Sequence, residues 1–262
     1  MKKIAKISFL LALLPSLSAC QDVKHSIYAI NVQGDFMVNL TVTQLLNLLE
    51  NQATFMLEVY SPQCGHCEDM EVLLNNYVKK KHKLLYRFNL TQIPTIEEFN
   101  EKLSIPYNDI FPNSFVPSLQ FIKESKLTYS VSPNKFDSYT GVSNELSKHF
   151  INTKMTMVQD YQQYEHYKNE YNNYVIASYS LDDPRSVNLI HRTLLNNSSL
   201  NKKMNILIVN QSLFSDEDFS SIKQEMNVQY DTFTAIYQNN TYKNASNYLL
   251  DEGASILNNI NN

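Results

Sequence analysis

Hydrophobic positions follow two spacings along this chain. Short apolar runs rich in aromatic and β-branched residues, at 28–32, 54–60, 83–90, 119–123 and 127–131, have the length of strands. Between them, 41–49, 64–79 and 95–103 carry apolar residues three and four apart, as in a helix with one buried face. Thr41 stands where an N-cap belongs, ahead of Leu45, Leu46, Leu48 and Leu49. Residues 105–115, with Pro106 and Pro112, read as loop. Glu124-Ser125 reads as a hairpin turn and 144–150 as a closing helix. From the strand at 54–60 onward the predicted order is βαβαββα, ending near residue 153.

The remaining chain repeats that order. Helices are predicted at 158–171, 184–195, 217–226 and 248–260, with Pro184 accommodated in a first turn. Strands are predicted at 174–178, 205–209 and 232–237, the last followed by a turn at Asn239-Asn240. Tyr161, Tyr164, Tyr167 and Tyr171, with Tyr174 beyond them, keep helical spacing and read as a buried stripe rather than a ligand surface.

Residues 1–19 have the build of an export signal. Lys2, Lys3 and Lys6 lead, 7–14 is apolar, and Leu17-Ser18-Ala19-Cys20 ends it. Past it, 20–27 is a short tether; the length of 262 residues suits one large domain or two ordinary ones, and the repeated order of elements divides it into 28–153 and 154–262. No later stretch approaches the ~20 apolar residues of a membrane span. The formal net charge is −4, and losing the three leader lysines makes it more negative. An acidic surface argues against nucleic acid and against a polybasic membrane contact.

Candidate chemistry sits at one junction. Of the 3 Cys, Cys64 and Cys67 lie where the strand at 54–60 passes through Ser61-Pro62 into a helix. Unpaired N–H groups and the dipole at a helix start favour an anion, which biases a thiol at position 64 toward thiolate. Cys67, three residues on, shares that face and can close a small disulfide with it. Zinc also binds Cys-x-x-Cys, but a structural zinc needs four ligands and the chain has no second pair. His25, His82, His149, His166 and His191 are scattered without ligand spacing, so neither metal nor cofactor is expected.

The segment Leu57-Glu58-Val59-Tyr60-Ser61-Pro62-Gln63-Cys64-Gly65-His66-Cys67 resembles the active site of the thioredoxin-like family, in its protein disulfide isomerase form. Phe115-Val116-Pro117-Ser118, ahead of the strand at 119–123, is similar to that family's cis-proline loop, and Gly141 to a third landmark before its last helix. Leu17-Ser18-Ala19-Cys20 resembles the lipobox of bacterial lipoproteins, where the cysteine carries lipid. The resemblance implies an α/β fold: a thioredoxin-like domain, with a central mixed sheet flanked by helices, then a second, degenerate one. In the second, the place of the cysteines falls near Leu181-Asp182-Asp183, and Thr232 aligns with Pro117. Two residues depart from the family: Gln63 replaces its usual aromatic, and Glu68 its usual basic residue.

The roles below are what the resemblance implies. Cys64 is the nucleophile and Cys67 resolves the mixed disulfide. Glu58, buried under Cys67, takes its proton. His66 stabilises the Cys64 thiolate and makes the disulfide more oxidising. Pro117, in a cis peptide, aims the Val116 backbone at an extended substrate. The expected activity is thiol–disulfide exchange of oxidase or isomerase type on exported protein or peptide thiols and disulfides, with a redox partner protein. The expected location is the outer face of the cell membrane, through lipid on Cys20. Two other readings stay open: an accessory lipoprotein serving one client, and a binding module whose Cys-x-x-Cys is vestigial.

Overall fold

The computed structural model describes residues 26–32, 37–93, 95–102, 105–112, 115–131, 137–197, 203–239 and 241–246. In the first of its two sheets, β3 (Phe55–Tyr60) is central. It runs parallel to β4 (Leu85–Asn89) and antiparallel to β5 (Ser118–Lys123). Outside these lie β2 (Met37–Leu40), parallel to β4, and β6 (Lys126–Val131), antiparallel to β5. All of β3 but Tyr60 is buried, as a strand covered on both faces must be, which explains its nearly unbroken apolar run.

The helices form where caps and spacing allow. Thr41 opens α1 (Val42–Glu50) with a capping box: its hydroxyl accepts from Gln44 N, and Gln44 Oε1 accepts from Thr41 N. α2 (Gly65–Lys81) begins at the cysteines, and α3 (Ile96–Lys102) follows β4. The segment expected to be loop contains a single turn, α4 (Tyr107–Ile110). Asn100 Oδ1 accepts from Tyr107 N at 2.6 Å, and Phe99, Tyr107 and Phe111 pack ring on ring. α5 (Tyr139–Ser147) starts earlier than the expected 144 because Ser138 caps it, accepting from Gly141 N at 3.2 Å; Gly141 is therefore inside the helix.

The second sheet repeats the first. β7 (Phe150–Val158), β9 (Asn205–Asn210), β8 (Asn173–Tyr179), β10 (Thr234–Gln238) and β11 (Thr241–Ser246) stand side by side. Their order and directions match those of β2, β4, β3, β5 and β6. α6 (Tyr161–Glu170) lies between β7 and β8 in the chain. α7 (Pro184–Val187), continued as a π-helix over Asn188–Leu194, follows β8, and α8 (Asp216–Glu225) follows β9. Tyr164, Tyr167 and Tyr174 are buried, with Tyr161 and Tyr171 packed at the edge of the same cluster.

Four strands differ from expectation, one of them β2, where no strand was predicted. β1 (Ile27–Val32), placed by sequence at the head of the first domain, pairs in parallel with β7 and extends the second sheet. β7 was not expected, and the division at 153/154 falls within it. Asn152 and Lys154 interrupt its apolar pattern, but Thr153 Oγ1 donates to Ala29 O at 2.6 Å and Thr153 O accepts from Asn31 Nδ2 at 2.9 Å, fixing it to β1. β11 was likewise unexpected. The leader, Cys20 and the helix expected at 248–260 lie outside the described residues.

The two sheets share one apolar cluster, which includes Leu45, Leu48 and Leu57 from one side and Leu181, Ile190 and Leu194 from the other. A buried polar knot crosses the same junction. His191 Nδ1 donates to Thr54 O at 3.0 Å, and its Nε2 accepts from Tyr179 Oη at 3.1 Å. Tyr179 Oη lies 2.8 Å from Tyr86 Oη. Burial lowers His191 to about 4, against the opposing pull of Thr54 O, so the ring is neutral.

Candidate active site

β3 ends at Tyr60, and Cys64 then occupies the N-cap of α2 in an extended conformation. Its side chain is half-buried; Cys67, one turn on, is 3% exposed. The two sulfurs lie within hydrogen-bond reach of each other. Burial, and secondarily the bond with Cys64, pushes the Cys67 thiol up to about 12. The reachable sulfur is at the open end of the helix and the covered one lies one turn further in on the same face.

Across the opening, Cys64 Sγ donates to Val116 O at 3.6 Å, and the Val116–Pro117 peptide is cis. Phe115, just before it, is 71% exposed. A groove runs from this loop along α2, lined by His66, Met70, Val72, Leu73, Pro117 and Asp137. His66 itself is exposed, as are Gln63 and Glu68.

Glu58 lies in the middle of β3, fully buried. Burial raises its carboxyl to about 7, although Arg87 pulls the other way. Arg87 stands directly opposite Glu58 on β4, and its Nε reaches Glu58 Oε2 at 2.5 Å. Nη1 and Nη2 bond the two oxygens of Glu71 on α2 at 2.8 and 3.0 Å, and the guanidinium lies 4.4 Å from the centre of the Tyr60 ring. Glu58 Oε1 has no donor among the described residues. Glu58, Cys64, Cys67, Val116 and Pro117 are thus brought to one place, with His66 at the rim. Arg87 and Glu71 escaped the sequence reading; the available signal was a cation inside the apolar run Leu84-Leu85-Tyr86-Arg87-Phe88.

The second unit offers an internal comparison. Asp183 stands four residues beyond the end of β8, as Cys64 does beyond β3, and caps α7 by accepting from Arg185 N at 3.1 Å. The register puts Thr232 in the place of Pro117, and Thr232 Oγ1 donates to Asp183 Oδ2. Where the first unit has a thiol facing a backbone carbonyl, the second has a closed hydroxyl–carboxylate bond.

No family model matches the sequence, and no curated protein does. Several solved structures are similar to it. Mitochondrial thioredoxin 3 of Saccharomyces cerevisiae, in its oxidised form, is 16% identical over 42% of this chain and 93% of its own, with a TM-score of 0.30. A reduced thioredoxin pre-protein of Schistosoma mansoni is 18% identical over 43% of this chain and 97% of its own, with a TM-score of 0.32. Human ERp44 in its zinc-bound form is 10% identical, covering 86% of this chain and 59% of its own, with a TM-score of 0.30. By its own strand order and cis-proline loop, the chain is an α/β protein with a thioredoxin-like unit, followed by a second unit of the same strand order.

Proposed function

We propose that this protein is a thiol–disulfide oxidoreductase of the protein disulfide isomerase type, acting on exported polypeptides from a lipid anchor at Cys20. One observation carries the reading: a half-buried Cys64 at the start of α2, beside a buried Cys67 and above the buried Glu58, faces the Val116 carbonyl.

In the reducing direction, Cys64 thiolate attacks one sulfur of a client disulfide; that S–S bond breaks and a client thiolate leaves. Cys67 then gives its proton to Glu58 and attacks Cys64 Sγ. The mixed disulfide breaks, the second client sulfur departs as thiolate, and a Cys64–Cys67 disulfide remains. Oxidation of a client dithiol is the same path reversed. The client lies as an extended segment along Val116, its side chains against Phe115 on one side and the groove of Val72 and Leu73 on the other. His66 favours the reduced form, which gives a potential nearer about −180 mV than about −270 mV.

The test is insulin reduction and dithiol oxidation by the wild-type chain and Cys64→Ser. The expectation is activity in the first and none in the second; equal behaviour would leave only a binding module. A potential below that of thioredoxin in a redox titration would reject the oxidising poise. A second reading, an accessory for one client, is favoured by Gln63 and Glu68, which change the rim where partners dock. Mixed disulfides trapped by Cys67→Ala separate the two: many clients for a general enzyme, one for an accessory.

A further inference from the structure

Arg87 serves two carboxylates unequally. Its two terminal nitrogens form the paired fork, the strongest arrangement a guanidinium offers, and both go to Glu71, whose side chain is 41% exposed. The wholly buried Glu58 receives only the Nε bond. The other groups facing Glu58 are the thiols of α2, with Cys67 close enough to feel its charge. On β5 the residue opposite is Leu119, which bears no charge. Tyr60, on β3 itself, covers Arg87 with its ring. Glu58 therefore takes its charge balance from Arg87 and, through it, from Glu71.

We propose that Glu71 is a positioning residue for thiol exchange: by holding the fork of Arg87 it confines the guanidinium to one bond with Glu58, leaving Glu58 Oε1 able to take the proton of Cys67. The inference rests on the oxidoreductase reading and deepens it. During resolution the Cys67 S–H bond breaks and the proton passes to Glu58. The sulfur electron pair forms the bond to Cys64 Sγ, and the client leaves as thiolate. With Glu71 neutral, the fork loses its anionic partner and turns inward. A doubly bonded Glu58 then holds a proton less tightly and is a weaker base toward a covered thiol. An exposed carboxylate on α2 in this way tunes a reaction one layer beneath it.

Glu71→Gln in the full chain tests this by two readouts. The first is the carbon-13 titration of the Glu58 carboxyl by NMR; the second is the pH profile of mixed-disulfide resolution in rapid-quench experiments. Both midpoints are expected to move to lower pH, by on the order of one unit. Glu71→Asp, which keeps the charge, is expected to move them less. The proposal is overturned if the Glu58 midpoint stays put or rises in Glu71→Gln, or if Glu71→Asp shifts it equally. Were the wild-type chain to show no exchange at all, the oxidoreductase reading would fail, while the Glu58 titration would still decide whether Glu71 acts on it.

Discussion

In the proposed exchange, the location of one proton at Cys67 decides whether the reaction goes to completion. A thiol pushed up to about 12 is almost wholly protonated at neutral pH, so it attacks only if a neighbour takes the proton as it does so. Glu58, raised to about 7, is matched to that task, being ionised and protonated in comparable amounts. Glu58→Gln is therefore expected to slow resolution about a hundredfold or more, the usual range for losing a general base, while leaving the attack by Cys64 intact. The measurement is the accumulation of mixed disulfide in quenched single turnovers; resolution at the wild-type rate would remove Glu58 from the mechanism. That Glu58, Cys64 and Cys67 meet was legible because their spacing is local: a strand end and one helical turn separate them. Arg87 was not, since its partner is fixed by strand register between segments almost thirty residues apart, and register has no local signature.

At the scale of elements, two copies of one strand order have used the same helix start differently. Cys64 stands at the N-cap of α2 but makes no side-chain capping bond, and its sulfur instead faces the Val116 carbonyl. Asp183 does what a capping residue ordinarily does, accepting from Arg185 N, and it also accepts from Thr232. Asp183→Ala is expected to cost about 1 kcal/mol or somewhat more of stability, read as a lower urea midpoint, with thiol exchange unchanged. A loss of exchange at unchanged stability would mean that the second unit takes part in the reaction. The helix starts at Thr41 and Pro184 could be read from sequence because caps and N1 prolines act within one turn. β7 could not, because Asn152 and Lys154 break the alternation, and pairing with β1 and β9 supplies what the local pattern lacks. The partner of β1 was illegible for a related reason: an apolar strand announces that it is buried without saying in which sheet.

For the whole molecule, the apolar cluster shared by both sheets makes the cysteine-bearing unit part of a larger body, and the knot at His191 lies at that junction. Two buried groups then give the folded state opposing dependences on pH. Glu58 is raised from 4.5 to about 7, so the folded chain holds its proton longer than the unfolded one; stability from this group is full below 4.5 and lost as pH rises toward 7. His191 is lowered from 6.5 to about 4, so its contribution is full above 6.5 and lost as pH falls toward 4. Each effect is on the order of 3 kcal/mol, and between 4.5 and 6.5 they cancel in large part. Substitution should separate them. Relative to wild type, Glu58→Gln is expected to gain stability as pH rises through this window, and His191→Gln to lose it. The hydrogen bonds that His191→Gln forfeits displace its curve vertically without changing the slope, and the remaining carboxylates act alike in all three proteins, so they drop out of the differences. Urea midpoints at a series of pH values from 4 to 7.5 measure this directly, and three parallel curves would mean that neither group titrates abnormally in the folded chain.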